Sequence, residues 1–149
     1  MKNSEKAVEL FLQGYSCSQA VFGAFADEVG LDESLCFKLS SPFGGGFGRL
    51  REVCGAVSGM LMVFGVLYGY DTSDNGETKK ELYEKTRALC EEFKKQHESI
   101  ICKDILKGQA QIGGTPDKRT ESFYATRPCA KCVRDAAVII EDFIKNNKQ

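Results

Sequence analysis

Seven cysteines in 149 residues are the side chains of this chain best suited to chemistry. Sulfur is usually kept for oxidation, metal binding or disulfide exchange rather than for packing. Cys17 lies in Ser16-Cys17-Ser18-Gln19, which has the form of a capping box: a Ser N-cap with Gln three residues on. The thiol then occupies the first position of a helix, where unpaired N–H groups and the dipole favour an anion, so its pKa is expected to fall. Cys54 opens the run Cys54-Gly55-Ala56-Val57-Ser58-Gly59. Gly55 and Gly59 share one helical face and hold no backbone away, so the Cys17 helix is expected to approach within sulfur–sulfur reach. Arg49 and Arg51 are near enough to support a thiolate, or else face water. Cys102 falls in the first turn of a helix that Ser99 would cap, again an electropositive position.

Cys129 and Cys132 form Cys-Ala-Lys-Cys at the start of the last helix. That spacing serves dithiol redox chemistry and half a metal site alike, and Lys131 between them favours an ionised sulfur. Cys36 and Cys90 lie on amphipathic stripes and read as core. His97, the one histidine, reads as a solvated helix-end residue interacting with the dipole. The candidate catalytic set is therefore Cys17, Cys54, Cys102, Cys129 and Cys132, acting as a dithiol/disulfide or electron-transfer module. Such a protein is an uncertain enzyme, at most a thiol oxidoreductase, and its redox partner protein is unknown. The alternative is a metal module in which Cys17, Cys54, Cys102 and Cys129 hold zinc or an iron–sulfur cluster. A third reading is an accessory protein whose cysteines are incidental.

Other classes find little support. The net charge of −1 and pI near 5.9 give no general attraction to nucleic acid or anionic lipid. The glycine loop 44–48 is followed by no Gly-Lys-Ser/Thr and sits in no βαβ setting, which disfavours nucleotide binding. No histidine is expected near a nucleophile and no carboxylates are paired, which disfavours hydrolase chemistry. The N-terminal residues lead into a mixed-charge amphipathic stretch rather than an apolar signal core, so a cytoplasmic location is expected. There, thiols stay reduced unless catalytic, sensing or metal-bound.

The elements that must position these sulfurs read as helices throughout. Expected are helices over 4–13, 16–29 and 32–39, a glycine loop, a central helix over about 50–70, a polar turn at 71–76 and a long charged helix over 77–97. A short helix over 100–106, an unpatterned stretch over 108–127 and a final helix over 128–145 follow. The uncharged run 53–70 has the length of a minimal membrane span, but its glycines, Ser and Cys favour a buried central helix, and a membrane role is not expected. One domain over residues 1–149 is expected, an all-α bundle around that glycine-rich helix. Phe123 and Tyr124, on the unpatterned stretch, are the candidate exposed rings for a homodimer.

Taken together, several stretches resemble one known family. They are Gly14-Tyr15-Ser16-Cys17-Ser18-Gln19-Ala20-Val21, then Phe43-Gly44-Gly45-Gly46-Phe47-Gly48 leading to Cys54-Gly55-Ala56-Val57-Ser58-Gly59. Cys102-Lys103-Asp104-Ile105-Leu106 and a cysteine just before Val133-Arg134-Asp135-Ala136-Ala137 complete the series. This order is similar to the small C_GCAxxG_C_C proteins, described as redox-active. The resemblance implies four characteristic cysteines: Cys17, Cys54, Cys102 and either Cys129 or Cys132, with Cys129 favoured by its distance to Val133. It also implies an association with transport proteins.

Overall fold

The computed structural model describes residues 1–73 and 76–148, and its elements are helical. In order they are α1 (Asn3–Leu12), α2 (Cys17–Ala24), α3 (Ala26–Val29), α4 (Glu33–Ser40), α5 (Gly44–Phe47) and α6 (Gly55–Tyr68). Then come α7 (Gly76–His97), α8 (Cys102–Leu106), α9 (Glu121–Thr126) and α10 (Cys129–Asn146). Among the described residues the only β pairing is an isolated antiparallel bridge, Val53 to Ile101. The all-α class holds. The polar turn expected at 71–76 includes Asp74 and Asn75, which lie outside the described residues.

The central layer is α2 against α6, with α1 and α10 packed on α2 and on each other, α4 on α2 and α7 on α10. Val57, Met60 and Val63 of α6, Val21 of α2 and Val133, Ala136 and Ile140 of α10 are fully buried. Each large apolar side chain removed from water contributes about 1.5–3 kcal/mol, against about 1 kcal/mol for an ordinary hydrogen bond. Apolar packing, not the thiols, therefore holds these helices together.

Two boundaries differ from the sequence expectation for identifiable reasons. The second helix breaks at Phe25, whose φ of −98° and ψ of 12° leave the helical region, so α2 and α3 are separate. The central helix begins at Gly55, not near residue 50, and Cys54 is its N-cap with extended ψ of 131°. Before it, Gly45, Gly46, Phe47, Gly48, Arg49 and Arg51 all have positive φ. Such backbone is costly for Phe and Arg, and here a network of main-chain bonds holds it. Arg51 N donates to Gly45 O, Glu52 N to Gly46 O and Gly113 N to Arg49 O.

The central helix is only 14 residues long. Among the described residues no helix is long and apolar enough to cross a membrane. The stretch expected to be unpatterned contains α9, started by Thr120, whose side chain accepts from Phe123 N at 3.1 Å. Phe123 and Tyr124 are half-buried against Phe11, which corrects their reading as exposed rings for a homodimer.

Candidate functional site

The chemistry of the site begins with how α2 starts. Ser16 Oγ accepts from Gln19 N, and Gln19 Oε1 accepts from Ser16 N, so the capping box forms and Cys17 is the first residue of α2. Glycine then lets α6 approach this turn. A Cβ on Gly55 would stand 3.2 Å from Cys17 Cβ and 3.1 Å from Ser18 N, and one on Gly59 would stand 2.8 Å from Ser18 O. Cys54 and Cys102 are brought side by side by the bridge: Cys54 N donates to Ile100 O at 2.7 Å and Cys102 N to Glu52 O at 2.6 Å. Gly46 completes the approach, since a Cβ there would stand 2.8 Å from Cys102 Cβ. The glycine loop thus serves as a floor for the sulfurs.

Cys17, Cys54, Cys102, Cys129 and Cys132 line one small cavity of about 40 Å³. All seven thiols are free; Cys36 is buried elsewhere in the core and Cys90 is half-buried on α7. The two cysteines of the Cys-Ala-Lys-Cys run do not pair with each other. Cys129 instead interacts most strongly with Cys17, and Cys132 with Cys54. Each pair therefore joins α10 to a different partner, α2 or the start of α6.

Where two thiols face each other, the first to ionise is stabilised by the proton that the other keeps. Cys129 is the sulfur favoured as thiolate in its pair. The Cys17 thiol lowers its pKa to about 7, with Arg127, Arg119 and Arg51 adding favourable charge. Cys17 moves the other way, raised well above the ordinary thiol value first by that same interaction and then by burial. This corrects the expectation that the helix start would lower Cys17: a thiol facing a neighbouring thiolate keeps its proton.

The inner pair repeats the pattern. Cys54 is lowered first by its interaction with Cys132, with the first-turn N–H groups of Ala56 and Val57 also favouring the thiolate, while Cys132 is raised. Cys102 is raised by burial, which outweighs Arg51, whose Nη1 lies 3.8 Å from its sulfur. The electropositive helix start expected to favour its thiolate is too short and too dry to prevail. Lys131 is exposed, and the cations near Cys129 are Arg127, two residues before it, Arg119, and Arg51 from a distant part of the chain.

Sequence reasoning missed a histidine here. His97 is not solvated: its side chain is 6% exposed, with Nδ1 3.7 Å from Cys132 Sγ and Nε2 2.8 Å from Asp135 Oδ2. The carboxylate is an acceptor, so in a neutral ring Nε2 carries the hydrogen and Nδ1 faces the Cys132 thiol as an acceptor. The signal was present, because His97 continues the spacing of the buried residues Leu89 and Phe93. Asp135 follows Cys132 at three residues on the same face of α10.

Beyond the sulfurs the site opens outward. Cys17, Arg51, Gly45 and Cys129 also line a larger cavity of about 350 Å³, which Arg49, Arg119 and Arg127 border. Arg49 and Arg127 each reach Asp117 at 3.0 Å, and Arg119 lies over the Phe11 ring while donating to the carbonyls of Phe11 and Tyr15. Among the described residues no group of three or more His, Cys, Asp or Glu is disposed to hold a metal ion.

No curated protein and no solved structure matches the chain. A family model does, over residues 15–143, described as "Putative redox-active protein (C_GCAxxG_C_C)". That span holds every sulfur, the glycine floor and the arginines described above. The chain belongs to the C_GCAxxG_C_C family of redox-active proteins.

Proposed function

We propose that this chain is a thiol redox protein with two dithiol pairs in series. The outer pair, Cys129 and Cys17, meets the oxidant. The inner pair, Cys54 and Cys132, exchanges electrons with it through the shared sulfur cavity. The observation that carries this reading is the convergence of Cys17 from α2, Cys54 from the start of α6 and both α10 cysteines on one cavity, with the Cys129 thiol lowered and the Cys17 thiol raised.

Cys129 is the nucleophile of this reading, since thiolates and not thiols attack disulfides and oxidants. Cys17 resolves the mixed species by attacking Cys129 Sγ, which yields one intramolecular disulfide. Oxidation of the inner pair likewise requires Cys132 to lose its proton, and His97 Nδ1 stands where it can accept it. Asp135 holds the ring and offsets the imidazolium charge. Cys102, protonated and beside Arg51, is a third-party sulfur able to exchange with either pair. A redox partner protein would restore the dithiols, and a cytoplasmic setting suits a protein whose resting state is reduced.

Mass-spectrometric mapping of the anaerobically purified protein tests the reading. Stepwise oxidation should give Cys17–Cys129 first and Cys54–Cys132 next, with Cys36 and Cys90 still free thiols when the chain is denatured and alkylated. Stoichiometric zinc or iron in that preparation, with no titratable dithiol, would overturn it in favour of a metal module.

A further inference from the structure

The larger cavity has a charge pattern that the dithiol chemistry alone does not require. Four arginines border it, Arg49, Arg51, Arg119 and Arg127, against a single carboxylate, Asp117. They come from two separate stretches of the chain, so the cluster is a product of the fold and not a basic run. Two of them, Arg49 and Arg127, are tied to Asp117, and Arg119 is spent on the carbonyls of Phe11 and Tyr15.

Arg51 is different. It is 4% exposed, donates through Nε to Gln111 O at 2.9 Å, and has its Nη2 buried without a hydrogen-bond partner. The nearest carboxylate oxygen, on Asp117, is 3.8 Å away, too far for a hydrogen bond. A buried guanidinium nitrogen without an acceptor is rare in a native protein and calls for a bound group that supplies one. Arg51 also borders the sulfur cavity, so the unmet donor stands where the two cavities join, beside Cys129 and Cys17.

The remaining walls suit a small organic molecule. Phe11, Phe123 and Pro116 supply apolar surface, and about 350 Å³ is within the usual range for a small-molecule site. A nucleophilic sulfur at the inner end, arginines around the walls and apolar rings between them select an electrophile with a negatively charged tail. We propose that this cavity binds a low-molecular-weight disulfide carrying carboxylates, and that Cys129 and Cys17 reduce it. The inference rests on the thiol redox reading and adds the substrate class.

The step balances within the groups named. The Cys129 thiolate attacks one sulfur of the substrate, the substrate S–S bond breaks, and its electron pair leaves on the first thiolate product. Cys17 then attacks Cys129 Sγ, forming the Cys17–Cys129 bond and expelling the second half of the substrate. One substrate disulfide is reduced to two thiol groups while two protein thiol groups are oxidised to one disulfide. The Cys17 proton passes to one departing thiolate, and the other leaves as the anion. Arg51 Nη2 holds a substrate carboxylate at the junction of the cavities, and the other three arginines supply the surrounding positive field.

The test compares three disulfides as oxidants of the fully reduced chain: dithiodiglycolate, a dianion; hydroxyethyl disulfide, neutral; and cystamine, a dication. Each rate of Cys17–Cys129 formation is divided by that of the same disulfide with dithiothreitol, which removes intrinsic reactivity. The dianion should lead the neutral compound by about tenfold or more at low salt, with the dication slowest, and the lead should shrink as salt is added. Arg127→Gln and Arg49→Gln should each reduce the lead, with helix content checked by circular dichroism. The salt series on the unaltered chain keeps the test decisive if a variant misfolds. Equal normalised rates for all three compounds would sink the substrate assignment and leave the redox reading standing. Failure of every compound to yield the Cys17–Cys129 bond would instead sink the redox reading itself.

Discussion

Cys129 shows how little of a residue's reactivity its own helix decides. It sits at the first position of α10, as Cys17 does in α2, yet one sulfur is driven toward thiolate and the other toward thiol. The difference is which of the two facing sulfurs keeps the proton, together with the charges of Arg127, Arg119 and Arg51. The pH dependence follows with a definite sign. Below pH 7 Cys129 is protonated and slow; above it the thiolate accumulates, well before an ordinary thiol with a value of 9.0 would ionise. Alkylation of Cys129 by iodoacetamide should therefore reach half its plateau rate at about pH 7. In Cys17→Ala, which removes the largest stabilising contact, the profile should move toward higher pH. An unmoved profile would mean that the arginines alone keep Cys129 ionised.

At the scale of elements, the sulfur cluster depends on close contact between α2 and α6 more than on any thiol. Gly59→Ala would put a Cβ 2.8 Å from Ser18 O and 2.9 Å from Val21 Cβ, and neither the main chain nor a buried β-branched carbon can yield cheaply. Such overpacking costs about 1–3 kcal/mol, and it should slow disulfide formation by shifting the Cys17 turn. Gly65→Ala is the internal control, because an added Cβ there meets nothing within 4 Å and the position is exposed on the same helix. Helix propensity alone should then stabilise the protein by up to about 1 kcal/mol. Thermal melts of the two variants are expected to move in opposite directions; a shared direction would show that the glycine face is not what sets the helix contact.

Across the whole molecule, the outer pair joins distant parts of the sequence. Cys17 lies in the second helix and Cys129 begins the last, so a bond between them closes a loop containing most of the chain. In the chain-entropy picture a loop of that size restricts the unfolded state by about 4–5 kcal/mol. The oxidised protein should unfold at a clearly higher guanidinium concentration than the reduced one, measured by circular dichroism on both forms. Coincident midpoints would indicate that forming the bond strains the native packing as much as it restricts the unfolded chain. The helices α1, α2, α6 and α10 share one apolar core around the cluster.

Much of this was legible in the residues alone. The apolar stripes set the all-α class, the capping box set the start of α2, and the glycine face of α6 set which helix could come close. Local preferences suffice for these, because each involves neighbours three or four residues apart. The assignment of charge among the sulfurs was not legible. It depends on which sulfurs face each other, on His97 folding inward to Asp135 and Cys132, and on Arg51 being carried to Cys129 by the left-handed turns at 45–51. Electrostatic free energies depend on distance and burial in three dimensions, so only the tertiary structure could decide them.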